Sequence, residues 1–374
     1  MKAQFASAAL LGAVALTSAV ALSINPEVLQ PEHHRRFLQE RDQLAEELAQ
    51  WEASEYGETA RQYGFHIAAA SESAEETASL KDDKLARFFA TKLAAEEMAR
   101  LNPMATFSWM TPFALMTDAE FTAYVRRSYG PEGDIVPHDV LPIELAHAQA
   151  EADVAADGVD WTTSGCVAPV KNQGHCGNCW TFGGGAGAES FYCLMKNNRQ
   201  LVTFSEQELT SCDKKDYGCG GGWGEYALQY IAKNGICSDV EYPYTSGTTQ
   251  VSGECLRPSN NCSPINTGIT NYYHIGYDDN ALMAWLGVQP VSLNVAAGNP
   301  AWRTYKGGVI TECPSRQTDH VVLAVGYTTF NGTEAYKIKN SWGATWGMDG
   351  YLYIKRGMPG RGACEVVSAP FIPY

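Results

Sequence analysis

Residues 173–180 read Gln-Gly-His-Cys-Gly-Asn-Cys-Trp, with two cysteines three positions apart and glycines around them. A thiol that follows glycine-bounded turn residues and begins a helix lies beside free N–H groups and the positive end of the helix dipole. Both features stabilise an anion, so a thiolate is favoured at this place. Cys179, which Trp180 follows directly, is therefore the candidate nucleophile.

The cysteine pair allows two other interpretations. A Cys-x-x-Cys pair can be a thioredoxin-type redox motif, which requires a βαβ context, or half of a zinc site, which requires a second pair of ligands at finger-like spacing. The sequence offers neither context around Cys176 and Cys179. The nucleophile interpretation is therefore favoured, and the remaining chain must decide.

Three segments together resemble a known family. Gln173 stands six residues before Cys179, as in the active-site segment of papain-like cysteine peptidases, the papain and cathepsin L group. His320, preceded by an aspartate and followed by an apolar run, resembles the catalytic histidine segment of that family. The Asn-Ser-Trp-Gly sequence that begins at Asn340 resembles its asparagine segment. This resemblance covers nearly all of residues 159–374.

The resemblance implies an endopeptidase mechanism that needs no metal or organic cofactor. Cys179 would be the thiolate nucleophile, His320 its proton-transfer partner, and Asn340 the residue that orients the imidazole while Trp342 shields their hydrogen bond. Gln173, with the backbone N–H of Cys179, would stabilise the oxyanion. A lone histidine is more often structural, so the assignment of His320 depends on this resemblance.

The resemblance also implies a set of substrate-binding residues along a cleft. A glycine-rich loop would hold the substrate backbone, and a pocket beside it would hold the side chain two residues before the cut. Ala369, at the end of that pocket, carries no carboxylate, so we expect an apolar or aromatic residue rather than arginine there. Asn294 is a polar wall residue that narrows this preference or admits a hydrogen-bonding side chain. The implied set is Gly221, Gly222, Trp223, Gly224, Asn294, Thr318, Asp319, Trp342 and Ala369.

Composition divides the 374-residue chain into two parts. Its 45% apolar and 18% charged content is that of a globular protein, and its length allows two domains. All 11 cysteines lie between Cys166 and Cys364, and residues 1–158 carry a net charge of −13 out of the total −15. Two compositions indicate two roles, with a boundary near residue 158.

The N-terminal residues resemble a secretory signal. Residues 1–22 carry a lysine at position 2, continue through a short apolar stretch and contain Ala-Val-Ala at 19–21, which predicts cleavage after about Ala21. No later segment has the uninterrupted apolar length of a membrane span. We therefore expect a chain that enters the secretory route, is secreted or lysosomal or vacuolar, and folds in an oxidising compartment.

Residues 22–158 are predicted to form a helical propeptide and linker. Their composition favours helices, and two groups of apolar residues recur at helix-like spacing: Leu38, Leu44, Leu48 and Trp51, then Leu85, Phe88, Phe89, Leu93 and Met98. Taken alone, this could be a helical interaction domain. Residues 111–121 resemble the end of the family's inhibitory propeptide, whereas residues 25–79 have no assigned role. Residues 130–158 are expected to be an extended linker and cleavage zone.

Residues 159–374 are predicted to form a peptidase domain of the α+β class. A glycine-containing helix over 181–195 and a capping-box signature at Ser205 and Glu208 precede four β-rich runs at 305–311, 320–327, 335–339 and 350–355. The expected architecture has two lobes, one helical and one an antiparallel barrel-like sheet, with the cleft between them.

Cysteine parity supports a secreted thiol enzyme, because 11 cysteines make five pairs and leave one thiol. By resemblance we pair Cys176 with Cys219, Cys212 with Cys255, and Cys313 with Cys364. The four remaining cysteines suggest Cys166 with Cys193 and Cys237 with Cys262, although spacing alone leaves this open.

Two rival functions stay open at this point. A thiol–disulfide oxidoreductase would use Cys176 and Cys179 together, and a catalytically silent peptidase-like protein would only bind. The expected partners of the peptidase are protein or peptide substrates and its own propeptide. We expect a monomer, with no nucleic-acid partner and no membrane span.

Overall fold

The protein is described by a computed structural model over residues 25–66, 74–130, 140–149, 158–257, 259 and 262–374. The predicted signal peptide, residues 1–21, lies outside the described residues. None of the helices in the described ranges has the length and apolar character needed to cross a membrane.

The first three helices pack together as one unit: α1 (His34–Ala53), α2 (Glu55–Tyr63) and α3 (Ala74–Leu101). The predicted amphipathic helices are confirmed, since Leu44, Leu48 and Trp51 are buried in α1. In α3, Leu85, Phe88, Phe89 and Met98 are buried as well. Leu38 is the exception: it is exposed, and Phe37 takes the inward position. Residues 25–79, which had no assigned role, thus contribute α1, which packs on α3, and α2, which packs on α1.

A short strand and a capped helix carry the chain toward the second half. Strand β1 (Ala105–Phe107) is followed by α4 (Asp118–Arg126), whose N-terminus has a complete capping box. Thr117 accepts a hydrogen bond from the Glu120 N–H, and the Glu120 carboxylate accepts one from the Thr117 N–H. The capping box fixes where α4 begins and so where its buried face points.

The expectation of a wholly extended linker over 130–158 is wrong for its described part. Helix α5 (Ile143–Gln149) forms there, with Ala146 fully buried. The backbone N–H of Leu141 also donates to the carbonyl of His274 at 2.9 Å. This short helix is stabilised by its packing on α10 (Asp279–Leu286).

The helical lobe is built around α6 (Cys179–Phe191), which is buried along its whole length. It ends earlier than predicted, because residues 192–196 form a single π-helical turn. Its glycines permit close packing: a Cβ at Gly183 would lie 2.4 Å from Val321, and one at Gly187 would lie 2.6 Å from Ser292. Around it lie α7 (Glu206–Cys212), α8 (Gly224–Asn234) and the short α9 (Ser246–Thr249).

The second lobe is a mostly antiparallel nine-stranded sheet. Its remaining strands are β2 (Gly158–Asp160), β3 (Tyr272–His274), β4 (Val291–Val295), β5 (Tyr305–Ile310), β6 (His320–Phe330), β7 (Thr333–Lys339), β8 (Tyr351–Lys355) and β9 (Phe371–Pro373). In the chain, α10 lies between β3 and β4, and α11 (Pro300–Arg303) lies between β4 and β5. Strand order is β1-β5-β8-β7-β6-β4-β9-β3, with β2 on β6. The sheet of described strands is open and does not close into a barrel. All four predicted β runs are strands.

Five disulfides brace the part of the chain after residue 158: Cys166–Cys193, Cys176–Cys219, Cys212–Cys255, Cys237–Cys262 and Cys313–Cys364. All 11 cysteines lie in the described ranges, and Cys179 is the one left as a free thiol. The Cys166–Cys193 bridge joins the turn after α6 to the segment that precedes it.

Candidate active site

Cys179 lies at the first position of α6 and is completely buried. Its Sγ accepts a hydrogen bond from the Val321 N–H at 3.4 Å, which places the thiol next to the residue that follows His320. The thiol itself donates to the carbonyl oxygen of Ser128 at 3.3 Å. Burial raises the pKa of the Cys179 thiol well above its ordinary value, and the hydrogen bond from Val321 only partly opposes this.

His320 begins β6 and is held by an asparagine. Its Nε2 lies 2.8 Å from Asn340 Oδ1. The Ser341 N–H donates to the same oxygen, so this oxygen is an acceptor and His320 Nε2 must carry the hydrogen. The neutral ring therefore has its lone pair on Nδ1, which has no hydrogen-bond partner among the described residues. Burial lowers the pKa of His320 to about 4, although the bond to Asn340 acts in the opposite direction.

Trp342 covers this pair. Its ring stacks on the His320 imidazole with centroids 4.9 Å apart, and Trp302 approaches the same imidazole edge-on at 6.1 Å. Phe121 of α4 lies edge-on to Trp342 on a further side, at 5.6 Å. The histidine and its hydrogen bond are thereby enclosed by aromatic rings, where a hydrogen bond is electrostatically stronger than in water.

Gln173 is buried beside the thiol, and its amide is already occupied. Its Nε2 donates to the Ser128 hydroxyl at 3.3 Å and to the Cys176 carbonyl at 3.1 Å. Its Oε1 accepts from the Ser341 hydroxyl at 2.8 Å, which fixes the orientation of the amide. The donor that the sequence assigned to an oxyanion therefore points at Ser128.

The segment after α4 passes directly over these residues. Ser128 faces the thiol, and the next residue, Tyr129, pairs with Gly222 as an isolated β-bridge. The Gly130 N–H donates to the Gly222 carbonyl at 3.2 Å. Gly221, at φ +110°, makes this approach possible, because a Cβ there would lie 2.4 Å from the Tyr129 oxygen. The glycine-rich loop thus holds the backbone of the chain's own N-terminal part.

Tyr129 fills the pocket that the sequence assigned to the side chain two residues before the cut. Its ring lies edge-on to Trp223 with centroids 4.5 Å apart, and its hydroxyl hydrogen-bonds the Thr318 side chain. Asn294 and Ala369 meet at the pocket wall, where Asn294 Nδ2 donates to the Ala369 carbonyl at 3.0 Å. The structure therefore brings Trp223, Asn294, Thr318 and Ala369 together.

Glu225 is a pocket residue that the sequence reasoning missed. Its carboxylate is fully buried behind Asn294, whose Nδ2 donates to Oε1 at 2.9 Å. Its Oε2 has no hydrogen-bond partner within the described ranges, and His274 Nε2 lies 3.9 Å from Oε1. Burial raises the pKa of Glu225 to about 7. His274 thus faces a carboxyl group.

Two assigned substrate residues take a different place. The Asp319 carboxylate accepts hydrogen bonds from the backbone N–H groups of Ala297 and Gly298, at 2.8 and 3.1 Å, and so anchors that turn. Burial raises its pKa to about 6. Gly224 packs inward, because a Cβ there would lie 2.5 Å from Phe371. Neither residue presents a side chain to the pocket.

Metal ligands are sparse in the described part of the chain. The one group of three ligand atoms within reach of one another is Glu208, Cys237 and Cys262, and its two cysteines form a disulfide. A disulfide offers no thiolate, so this group is not a metal site.

Comparison with known proteins identifies the family. The family model described as papain family cysteine protease matches residues 155–374. The chain belongs to the papain family of cysteine proteases. It is 35% identical over 270 residues to the probable cysteine protease RDL2 of Arabidopsis thaliana, which covers 71% of each chain. For other papain-family relatives the matched part covers from 55% to 80% of the relative's length.

Solved proenzymes of the papain family share the fold. The proform of Amb a 11, a cysteine protease and ragweed pollen allergen, matches with a TM-score of 0.63 and 28% identity, over 83% of this chain and 96% of that chain. Digestive procathepsin L 3 of Tenebrio molitor matches with a TM-score of 0.66 and 27% identity, over 86% and 99%. Both matches extend well beyond residues 158–374, so they include the N-terminal helices.

Proposed function

We propose that the chain is the inhibited proenzyme of a cysteine endopeptidase whose nucleophile is Cys179. The observation that carries the proposal is the hydrogen bond between His320 Nε2 and Asn340 Oδ1, which leaves Nδ1 of His320 available as a base. The next residue, Val321, contacts the Cys179 thiol through its N–H. On this proposal residues 1–21 are the signal peptide, 22–158 the propeptide and linker, and 159–374 the peptidase domain.

The mechanism follows from these positions once the propeptide has left. His320 Nδ1 takes the thiol proton, and the resulting thiolate attacks the scissile carbonyl carbon. The Gln173 amide and the Cys179 N–H stabilise the oxyanion of the tetrahedral intermediate. The imidazolium then gives its proton to the leaving amine as the C–N bond breaks, which leaves the acyl group on Cys179 as a thioester. Water activated by His320 hydrolyses this thioester and releases the acid and the thiol.

Inhibition by the N-terminal part has a direct physical basis. Ser128 occupies both donors at the site, because its carbonyl accepts from the thiol and its hydroxyl accepts from Gln173. The burial that Ser128 and Tyr129 complete keeps the thiol and the imidazole neutral, since an ion pair is disfavoured without solvent or substrate dipoles around it. Removal of these residues restores the conditions for the thiolate.

The substrate preference that fits the pocket is apolar or aromatic two residues before the cut. Tyr129 is an aromatic occupant of this pocket, and full burial of leucine or phenylalanine there contributes about 1.5–3 kcal/mol. Below its pKa of about 7 the carboxyl of Glu225 is neutral and offers arginine no ionic partner. Glu225 and Asn294 make one wall of this pocket polar, so phenylalanine should bind there only slightly better than tyrosine.

The rival functions are weakened by the cysteine pairing. Cys176 is bridged to Cys219, so a thiol–disulfide oxidoreductase would lack its second thiol. A purely binding protein would have no use for the oriented His320. The five disulfides fit an extracellular, lysosomal or vacuolar compartment, and protein or peptide substrates, with a monomeric enzyme, remain part of the proposal.

The test is a thiol-directed epoxide applied to the matured enzyme. We expect a single adduct at Cys179, with loss of peptide hydrolysis in proportion to labelling, and no adduct in Cys179→Ser. Labelling at Cys176, or hydrolysis that survives complete labelling of Cys179, would contradict the proposal. An unlabelled, inactive matured protein would instead favour the binding function.

A further inference from the structure

Arg303 is a buried cation of the peptidase domain that depends on the propeptide. Its side chain is 1% exposed, and its Nη2 lies 2.7 Å from Asp118 Oδ1. Its Nη1 donates to the Thr91 hydroxyl at 3.1 Å and to the Met116 carbonyl. All three partners belong to the propeptide, and the described residues of the peptidase domain supply none to this guanidinium. Its Nε has no partner in the described structure.

The path of the propeptide places Arg303 relative to the site of cleavage. Along the propeptide, Asp118 contacts Arg303 first, and Thr122 then donates to the Gly298 carbonyl at 2.9 Å. Ser128 follows and faces Cys179. Tyr129 comes last and enters the pocket beside Trp223, here called the Trp223 pocket. Arg303 and the Trp223 pocket therefore lie on opposite sides of the thiol. Since that pocket holds the acyl side of a substrate under the proposed function, Arg303 lies on the side of the leaving group.

Arg303 loses these three partners when the propeptide leaves, so its cation is then unpaired. It follows Trp302 directly, and the Trp302 ring contacts His320, Trp342 and Trp346. In the proenzyme, burial lowers the pKa of Arg303, and the charges of Asp118 and Glu120 oppose this effect. The carboxylate next to the catalytic histidine, Asp319, already accepts two backbone N–H groups and is not available.

We propose that Arg303 of the matured enzyme binds a substrate carboxylate on the leaving-group side of the cut, in the place that Asp118 occupies in the proenzyme. The carboxylate belongs to an aspartate or glutamate side chain, or to the C-terminus of a short substrate. Asp118 uses Nη2 and leaves the adjacent Nε free, so a substrate carboxylate can bind both in the two-bond geometry that guanidinium groups favour. The inference rests on the proposed function and adds a specificity to it.

The test is a series of internally quenched peptides cleaved by the matured wild-type enzyme. All peptides share one acyl side with phenylalanine two residues before the cut. Aspartate, glutamate, asparagine or glutamine is placed in turn at each of the first leaving-group positions, and peptides with a free C-terminus are compared with their amides. We expect kcat/KM about tenfold higher for the acid than for its amide at one position, with the ratio falling as salt rises. Higher rates confined to free C-termini would identify the terminal carboxylate as the source.

Two matched variants separate Arg303 from general charge. Arg303→Gln should remove the ratio between acid and amide, and Arg303→Lys should keep part of it, because lysine keeps the charge without the fork. Lys306→Gln is the control: Lys306 is an exposed cation on β5 that also contacts the propeptide, through Tyr56. It should keep the ratio.

The outcomes are distinct from those of the proposed function. Wild-type enzyme that cleaves the shared acyl side from a small uncharged fluorogenic amine, yet shows ratios below about twofold at every position, overturns this inference alone. Retention of the ratio in Arg303→Gln overturns it as well. If Arg303→Gln does not mature, the inference is tested by the wild-type enzyme alone, through its ratio of kcat/KM between acid and amide peptides and the dependence of that ratio on salt. Enzyme that cleaves no peptide and resists the epoxide overturns the proposed function instead.

Discussion

The carbonyl oxygen of Ser128 accepts a hydrogen bond from the thiol of Cys179 at 3.3 Å. A thiol that donates is protonated, so this contact holds the proposed nucleophile in its unreactive form. The same residue accepts from Gln173 through its hydroxyl. One serine of the propeptide therefore occupies both the proposed attacking atom and the proposed oxyanion donor.

Catalysis should depend on Cys179 and His320 more than on Asn340, because Asn340 orients and does not react. After maturation by an added protease, Cys179→Ser and His320→Ala should lose nearly all turnover. Asn340→Ala should lose less, on the order of 10²-fold in kcat. Steady-state kinetics with circular dichroism as a folding control measures this, and near-native kcat in His320→Ala would refute the assignment.

Acid should release the propeptide. His175 packs between Phe65 and Tyr124 of the propeptide, and burial together with the Arg127 charge lowers its pKa below 6.5. The docked state binds this proton less well than the released state, so the contribution of a neutral His175 to docking is present above pH 6.5 and is lost as pH falls through the docked value.

Glu120 acts with the same sign at lower pH. Burial would raise its pKa, but hydrogen bonds from the Thr117 N–H and from Arg87 lower it overall from 4.5, so its contribution to the propeptide fold is lost as pH falls below that value. Proenzyme should therefore expose Cys179 to alkylation progressively faster below about pH 6.5. His175→Gln should remove the first part of this profile, and an unchanged profile would exclude His175.

Gly221→Ala should weaken propeptide docking. The φ of +110° disfavours alanine, and the added Cβ would lie 2.4 Å from the Tyr129 oxygen. Gly357→Ala is the matched control, since Gly357 has φ +73° with nothing within 4 Å of its Cβ position. Faster alkylation of Cys179 at neutral pH in the first variant only, measured by mass spectrometry, is the expected result. A Cys179 alkylation rate in Gly221→Ala equal to that of the wild type would contradict this role of Gly221. Equally raised rates in Gly221→Ala and Gly357→Ala would mean that backbone strain alone accounts for the effect.

Selectivity two residues before the cut should change with pH. Below the pKa of about 7 of Glu225, peptides with leucine or phenylalanine should exceed arginine in kcat/KM by about tenfold or more. Above it the Glu225 carboxylate is ionised, so the disadvantage of arginine should narrow. Glu225→Gln should abolish this pH dependence, and Ala369→Glu should shift the preference toward arginine. A wild-type preference for arginine below this pKa would contradict the pocket assignment.

Loss of the Cys166–Cys193 bridge should destabilise the matured enzyme. The bridge spans 27 residues of sequence, and closing such a loop contributes roughly 3 kcal/mol in the chain-entropy model. Replacing both cysteines by serine should lower the free energy of unfolding by about this amount in denaturant titrations. The Cys237–Cys262 bridge, with a separation of 25, is the matched comparison away from α6. Alkylation of Cys166 or Cys193 in the unreduced native enzyme would show that this disulfide is absent and would contradict the prediction.

Local sequence signals predicted the parts of the structure that depend on neighbours in the chain. Helical spacing identified α1 and α3, and the four β-rich runs became strands because their alternation matches a half-buried sheet. The short helix α5 was missed, since its stability comes from packing on α10 rather than from its own seven residues.

The residues that sequence reasoning missed act through distant contacts. Ser128 meets Cys179 across 51 positions, and the propeptide partners of Arg303 lie as many as 212 positions away. Glu225 has the sequence position of an acidic residue in the first turn of α8, where a carboxylate is normally solvated. Only the approach of β4, which brings Asn294, makes it a buried pocket residue.

Strand β1 of the propeptide forms one border of the sheet, where it pairs with β5. Departure of the propeptide removes this border and leaves the N–H and C=O groups of β5 open to another strand, which is the circumstance that leads to edge-to-edge aggregation. The exposed strand is short, contains Gly307 and Gly308, and presents the charged Lys306, all of which discourage a foreign strand from adding. Before maturation this edge of the sheet is covered by β1. After maturation β5 is the edge strand, and its glycines and its lysine protect it from pairing with a strand of another molecule.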